Sequence, residues 1–207
     1  MIGGPPLDML ETDALTELVN IGIGKAASGL REMVGEQILL SVPRIEVLSR
    51  DVAIASLQAQ EPGTLVGIHQ IFKGDVSGAA ILVFPNEQSF ELVRAVTGGE
   101  LSREDILDLE PEALAEIGNI VLNGCLATIA NNIQQTFRMS LPEVVRGDAD
   151  HIFTAARASQ SDEMALFLHV NFTLAERNIR GYVTILMDVG SLLTLKHLLS
   201  IFIERTA

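Results

Sequence analysis

Asp13-Ala-Leu-Thr-Glu17-Leu-Val-Asn20 and Glu112-Ala-Leu-Ala-Glu116-Ile-Gly-Asn119 lie 99 residues apart and share one skeleton: an acid, three residues, a glutamate, two residues, an asparagine. From each asparagine, 22 residues intervene before a proline, Pro43 in the first stretch and Pro142 in the second. A lone Glu-x-x-Asn arises about once by chance in a chain of this length at ordinary residue frequencies. Two in register over this distance do not. The spacing predicts an internal duplication: two copies of one unit, over about 8–99 and 107–207, packed with pseudo-two-fold symmetry into a single domain spanning 1–207.

Working outward, apolar residues recur at helical spacing from Leu7 to about Val34, at Leu10, Ala14, Leu18, Ile21 and Leu30. Pro5-Pro6 precede this stretch and Gly35 follows it, which predicts one long helix. Residues 37–48 are rich in Ile, Leu and Val around Pro43, as in short strands with proline at an edge or bulge. Thr64 to Lys73 and Val76 to Phe84 read as strands joined by a turn at Gly74-Asp75. Pro85-Asn86 then opens a helix, Glu87 to Val96, closed by Gly98-Gly99.

The second half repeats this order. It has a helix from about Leu109 to Asn132, a strand near Thr136 to Leu141, a strand pair at Met164 to Leu174 and Asn178 to Met187, and a last helix from Gly190 to Ile203. Leu101 to Leu109 reads as a short connector. A parallel sheet needs a crossover helix between its strands, so these hairpin signals favour antiparallel pairing and an α+β class.

The chain is long enough to bury roughly 70% of the surface that its unfolded form exposes. With 48% hydrophobic and 20% charged residues it belongs with globular proteins. Its formal charge of −13 repels a phosphate backbone, which argues against DNA or RNA as partners. The N-terminal residues lack a charged and then apolar leader, and the longest apolar run, Gly78 to Phe84, is too short to span a bilayer. Together with the single cysteine, Cys125, this predicts a soluble cytoplasmic protein without a membrane partner or an internal disulfide.

On a helix, positions i, i+4, i+7 and i+11 share a face. Asp13, Glu17, Asn20 and Gly24 therefore form one stripe, and Glu112, Glu116, Asn119 and Asn123 another. Leu18 and Ile21 in the first copy, and Leu114, Ile117, Val121 and Leu122 in the second, would seat each helix on the core with its stripe facing water. An ordinary solvated face could use Lys, Gln or Arg equally well, whereas both copies hold Glu and Asn at the same offsets. Gly22 and Gly24 each cost about 1 kcal/mol of helix stability relative to Ala. They predict a close approach at that face, or tight helix packing together with Ala26, Ala27, Ser28 and Gly29.

This doubled pattern, with the proline after each copy, resembles the CheC/CheX/FliY family of chemotaxis phosphatases, and its length and two motifs are most similar to the CheC branch. The resemblance implies a CheC-like fold and hydrolysis of the aspartyl phosphate of a CheY-like response regulator. By the same resemblance Asn20 and Asn119 orient the attacking water, while Glu17 and Glu116 pair with a lysine of the regulator. Asp13, Gly24, Glu112 and Asn123 fall at the partner contact.

The residue types suit that chemistry. A carboxamide can accept from and donate to water without titrating, and phosphoryl transfer is mostly positioning and charge neutralisation. A carboxylate makes a charge-assisted contact to an ammonium group. The implied Mg²⁺ belongs to the regulator, so the chain needs no cofactor or metal of its own. Lys25, beside the first motif, departs from the small neutral residues common there in the family, whereas Asn123-Gly124-Cys125 in the second copy stays closer to them. The family also implies an alternative, a non-catalytic adaptor that binds and regulates the receptor deamidase CheD. Two units in one chain predict a monomer when no partner is bound.

Other reactive side chains carry bland readings. Cys125 lies among Leu122, Leu126 and Ile129 and reads as a small buried hydrophobe. Asp148-Ala-Asp150-His151 reads as a polar loop. His69, His169 and His197 lie in apolar strands or a helix and read as structural. Gly22-x-Gly24-Lys25 has no strand before it and no Ser or Thr after it, so it is not a phosphate-binding loop.

Overall fold

The computed structural model describes residues 7–35, 38–97, 102–156, 163–174 and 177–206. The chain runs α1 (Met9–Val34), β1 (Ile38–Ser49), α2 (Arg50–Gln60), β2 (Leu65–Lys73), β3 (Gly78–Pro85), α3 (Asn86–Val96), α4 (Arg103–Asn132), β4 (Arg138–Met139), β5 (Glu143–Gly147), α5 (Ala149–Ala155), β6 (Glu163–Leu174), β7 (Arg177–Asp188) and α6 (Val189–Thr206). Apart from the two-residue β4, one order occurs twice: helix, strand, helix, two strands, helix.

All strand pairs are antiparallel, in the order β1-β6-β7-β3-β2, with β4 and β5 both pairing with β2. The first strand of each series pairs with the hairpin of the other series, and β3 lies against β7 at the centre. The α+β class and antiparallel pairing expected from the sequence are therefore present.

Helices cover both faces of the sheet. On one face α1, α3, α4 and α6 bury Leu15, Leu18, Leu92, Leu114, Val121 and Leu195 with Val66, Ile68, Leu166 and Leu168 of the strands. On the other, α2 and α5 bury Ala53, Leu57, Ile152 and Phe153 against Ala79, Ile81, Val83 and Phe167. Because both faces are covered, β3 is buried along almost its whole length and reads as an unbroken apolar run.

Local chemistry fixes the helix ends. Asp8 caps α1 and forms a reciprocal capping box with Glu11, while Gly35 ends it in the left-handed region at φ 75°. Ser102 caps α4, accepting from the Asp105 N–H. That helix begins at Arg103 and so absorbs the stretch read from sequence as a connector, with Pro111 inside it. Pro43 lies between Ser41 and Arg44, where the register of β1 against β6 shifts, the bulge expected of proline in a strand.

Three expectations are corrected. Leu10 and Ile21 face solvent, because the buried stripe of α1 runs instead through Leu15, Leu18, Val19, Ile23, Ala26 and Leu30. Residues 50–60 form α2, a helix missed because it is short, with Ala53, Ile54 and Leu57 alone buried, and because its cap, Ser49, makes no side-chain capping hydrogen bond. Asp148 to His151 is no loop: the Asp148 side chain accepts from the His151 N–H and starts α5. The Pro5-Pro6 and Gly98-Gly99 signals lie outside the described residues.

Among the described residues one helix, Glu104–Asn132, is long and apolar enough by composition to cross a membrane, and 56% of its most apolar window is buried inside the fold. Packed against α1, α3 and the sheet, it carries apolar residues around more of its circumference than a one-sided surface helix does.

Candidate functional site

The two motif helices cross directly. A Cβ at Gly22 would come within 2.7 Å of the Gly124 carbonyl oxygen and 2.8 Å of the Cys125 Cα, and one at Gly124 within 2.9 Å of the Gly22 carbonyl oxygen. Gly22 thus serves tight helix packing, joined by Gly29 against Ile120 and by buried Ala26. Gly24 meets nothing within 4 Å and lies open on the surface. Cys125 is buried at this crossing, where desolvation pushes its thiol up to about 12, so it is inert near neutral pH.

The crossing sets both stripes facing outward. Asp13, Glu17, Asn20 and Gly24 are exposed on α1, and Glu112 and Glu116 are exposed on α4, with Asn119 and Asn123 half-buried. Each stripe is thus brought together on its own helix. Among the described residues, Glu17 and Glu116 make no ion pair, which leaves two free carboxylates. Lys25 is exposed one residue beyond Gly24.

The asparagines differ. Among the described residues Asn20 has no side-chain hydrogen bond. The Asn119 Oδ1 accepts from the Asn123 Nδ2 at 2.6 Å and from the Gln70 Nε2 at 3.3 Å. Gln70 lies on β2, is 1% exposed and also donates from Nε2 to the Ser140 carbonyl at 2.9 Å. Its own Oε1 is buried without a partner. Contact between α4 and β2 depends on Gly118, because a Cβ there would collide with Ile68 Cγ2. The residue before Asn20 is Val19.

Three anchoring residues escaped the sequence reading. Glu11 and Glu110 each stand two residues before the first acid of a motif, and each is 3% exposed. Glu11 pairs with Lys196 at 3.3 Å and accepts from the Ser200 hydroxyl at 3.1 Å. Glu110 pairs with Arg146 and lies 3.4 Å from the Ser89 hydroxyl. Through these contacts a buried glutamate ties each helix to a neighbouring element just before its motif. The signal was present: extending the repeat by two positions toward the N-terminus adds one more matching glutamate. Gln70 was signalled only as one amide inside an apolar strand.

Beyond Asn123 the surface dips into a hollow of about 290 Å³ lined by Leu126, Ala127, Phe137 and Met139 among others. Among the described residues no three His, Cys, Asp or Glu side chains converge as metal ligands would. His69 is buried on β2, its Nε2 3.8 Å from Glu143 and its Nδ1 unpartnered. Desolvation lowers its pKa, more than the Glu143 charge raises it.

Residues 66–168 match the family model "Chemotaxis phosphatase CheX" and residues 10–47 match the "CheC-like family" model. The chain belongs to the CheC/CheX/FliY family. Among relatives in the family, the CheC1 protein of Halobacterium salinarum is 20% identical over 190 residues, 91% of this chain and 96% of that one. The CheY-P phosphatase CheC of Bacillus subtilis is 29% identical over 140 residues, 65% of each chain. Of solved structures, Thermotoga maritima FliY superposes with a TM-score of 0.74 at 16% identity, covering 98% of this chain and 100% of that one. The CheX of the Borrelia burgdorferi CheX–CheY–BeF3–Mg²⁺ complex superposes at 0.52 with 17% identity, covering 81% and 96%. These two likenesses are of fold, and both structures come from the same family.

Proposed function

We propose that this protein hydrolyses the aspartyl phosphate of a CheY-like receiver domain at two sites, Glu17 with Asn20 on α1 and Glu116 with Asn119 on α4. The observation that carries this reading is the outward presentation of both unpaired carboxylates, each one helical turn from a carboxamide. Relatives named as CheY-P phosphatases, and a relative solved in complex with CheY, BeF3 and Mg²⁺, supply the substrate class.

In the reaction, the water oxygen forms a bond to phosphorus as the phosphorus–carboxylate oxygen bond breaks. The receiver's carboxylate is restored, and inorganic phosphate leaves with the water's hydroxyl while the remaining proton passes to a phosphate oxygen or solvent. The carboxamide fixes the reacting geometry, which is where most of the gain in such a transfer lies. The carboxylate docks an ammonium of the partner, and Mg²⁺ is the receiver's own. Asp13, Gly24, Glu112 and Asn123 border the partner on each stripe.

We further infer that the chain is two copies of one unit. The recurring element order, the sheet order with β3 beside β7 at its centre, and the matched anchors Glu11 and Glu110 support this. Two fused copies make a monomer sufficient, and the site of action is the cytoplasm, where receiver domains signal.

The test is release of phosphate from a phosphorylated receiver. The wild type accelerates it, and the variant carrying both Asn20→Ala and Asn119→Ala does not. Full activity in that variant overturns the mechanism. Capture of the deamidase CheD without any turnover by the wild type would favour the adaptor reading instead.

A further inference from the structure

Within the reading above, we propose that Gln70 and Asn123 are positioning residues that lock the Asn119 carboxamide with its oxygen inward and its amide nitrogen outward, making the α4 site pre-organised and the α1 site not.

The orientation follows from one group that cannot change role. The main-chain carbonyl of Ser140 can only accept, so the Gln70 amide must turn its nitrogen toward it, at 2.9 Å. That nitrogen also faces Asn119, 3.3 Å away, so Asn119 must answer with oxygen. Asn123 supplies the second donor to the same oxygen at 2.6 Å. Both lone pairs of Oδ1 are then engaged, and the N–H pair of Nδ2 is the capacity left for a ligand. An amide N–H pair recognises an oxygen bearing lone pairs, either of the phosphoryl group or of the water beside it.

The glutamine is kept at a cost. It is buried in the apolar layer with Oε1 unpaired, where an aliphatic side chain would pack without penalty. Asn20 has none of this support among the described residues. Gly24 takes the place of Asn123 four residues on, and Val19 takes the place of Gly118, the residue that lets α4 settle on β2.

The experiment has two arms. In an Asn20→Ala background, which isolates the α4 site, Gln70→Leu and Asn123→Ala are each expected to lower kcat about ten-fold or more. For Gln70, buried beneath the stripe, KM for the phosphorylated receiver stays nearly unchanged, as loss of positioning without loss of docking requires, whereas Asn123 borders the partner and its loss also raises KM. Asn123 lies on a helix surface, so its variant keeps the test alive should Gln70→Leu misfold.

Independently of any activity, NMR of the side-chain amides is expected to show a rigid Asn119 N–H pair and a mobile Asn20 pair, with either variant making Asn119 as mobile as Asn20. Equal mobility of the two asparagines in the wild type overturns the proposal, as does unchanged kcat in both variants. If the Asn20→Ala parent has no phosphatase activity, the functional reading falls at that site while the amide dynamics still decide the positioning.

Discussion

The two motif helices share a glutamate and an asparagine at the same offset and differ in what lies beneath them. Around Asn20, α1 offers a valine before it, an open glycine four residues on and no hydrogen-bond partner among the described residues. Around Asn119, α4 offers a glycine that lets it settle onto β2, and two amide donors that hold the side chain. The same glutamate and asparagine spacing therefore rests on unequal support, and on the proposal above it is that support, in the layer below the motif, that sets readiness for catalysis.

Breaking the comparison at the asparagines gives the largest effect. Losing both carboxamides is expected to cut the acceleration of dephosphorylation about 100-fold, in line with the loss of a positioned group. Asn119→Ala alone should cost more than Asn20→Ala, as single-turnover phosphate release will measure. Equal losses would mean that the support under α4 is idle.

Gly118→Ala forces a Cβ into Ile68 and should destabilise the fold by about 1–3 kcal/mol, the usual cost of overpacking. Denaturant unfolding reads this, and an unchanged midpoint would show that α4 does not rest on β2 as closely as described. Glu17→Gln and Glu116→Gln leave the fold intact and weaken receiver binding by about 0.2–1 kcal/mol each, a loss that shrinks as salt rises. Titration calorimetry at two ionic strengths checks this.

Gly24→Asn sharpens the contrast from the other side. Nothing occupies the space around Gly24, so the change should stabilise the helix by a few tenths of a kcal/mol and give Asn20 a donor like Asn123. The same side-chain amide NMR would show Asn20 becoming less mobile.

The smallest effect is a pH dependence at His69. Burial lowers its pKa below the ordinary value of 6.5, so the folded state binds its proton less readily than the unfolded one. Its contribution is then constant above about 6.5, and stability falls as pH drops below that value toward the folded pKa. His69→Gln should flatten that part of the curve, as thermal melts between pH 5 and 7 will show, a range chosen around the ordinary histidine value.

Much of this was readable in advance, for different reasons. The long helices and the two hairpins announced themselves through strong periodicity and turn residues, which are local properties. α2 and α5 did not, because each is short and owes its place to packing on the second face of the sheet. Asp148, read as part of a polar loop, proved to be a helix cap, since the same side chain serves either role until the following backbone is known.

By itself the sequence determined the α+β class, the two stripes and the family resemblance, because helical and strand periods and a repeated polar motif are written in residue order. Only the tertiary structure decided which asparagine is held. Gln70 stands 49 residues before Asn119, and their meeting depends on how closely a helix rests on a strand, a distance set by a missing side chain at Gly118. Hydrogen bonds between elements far apart in the chain follow from packing, and packing is a property of the assembled layers.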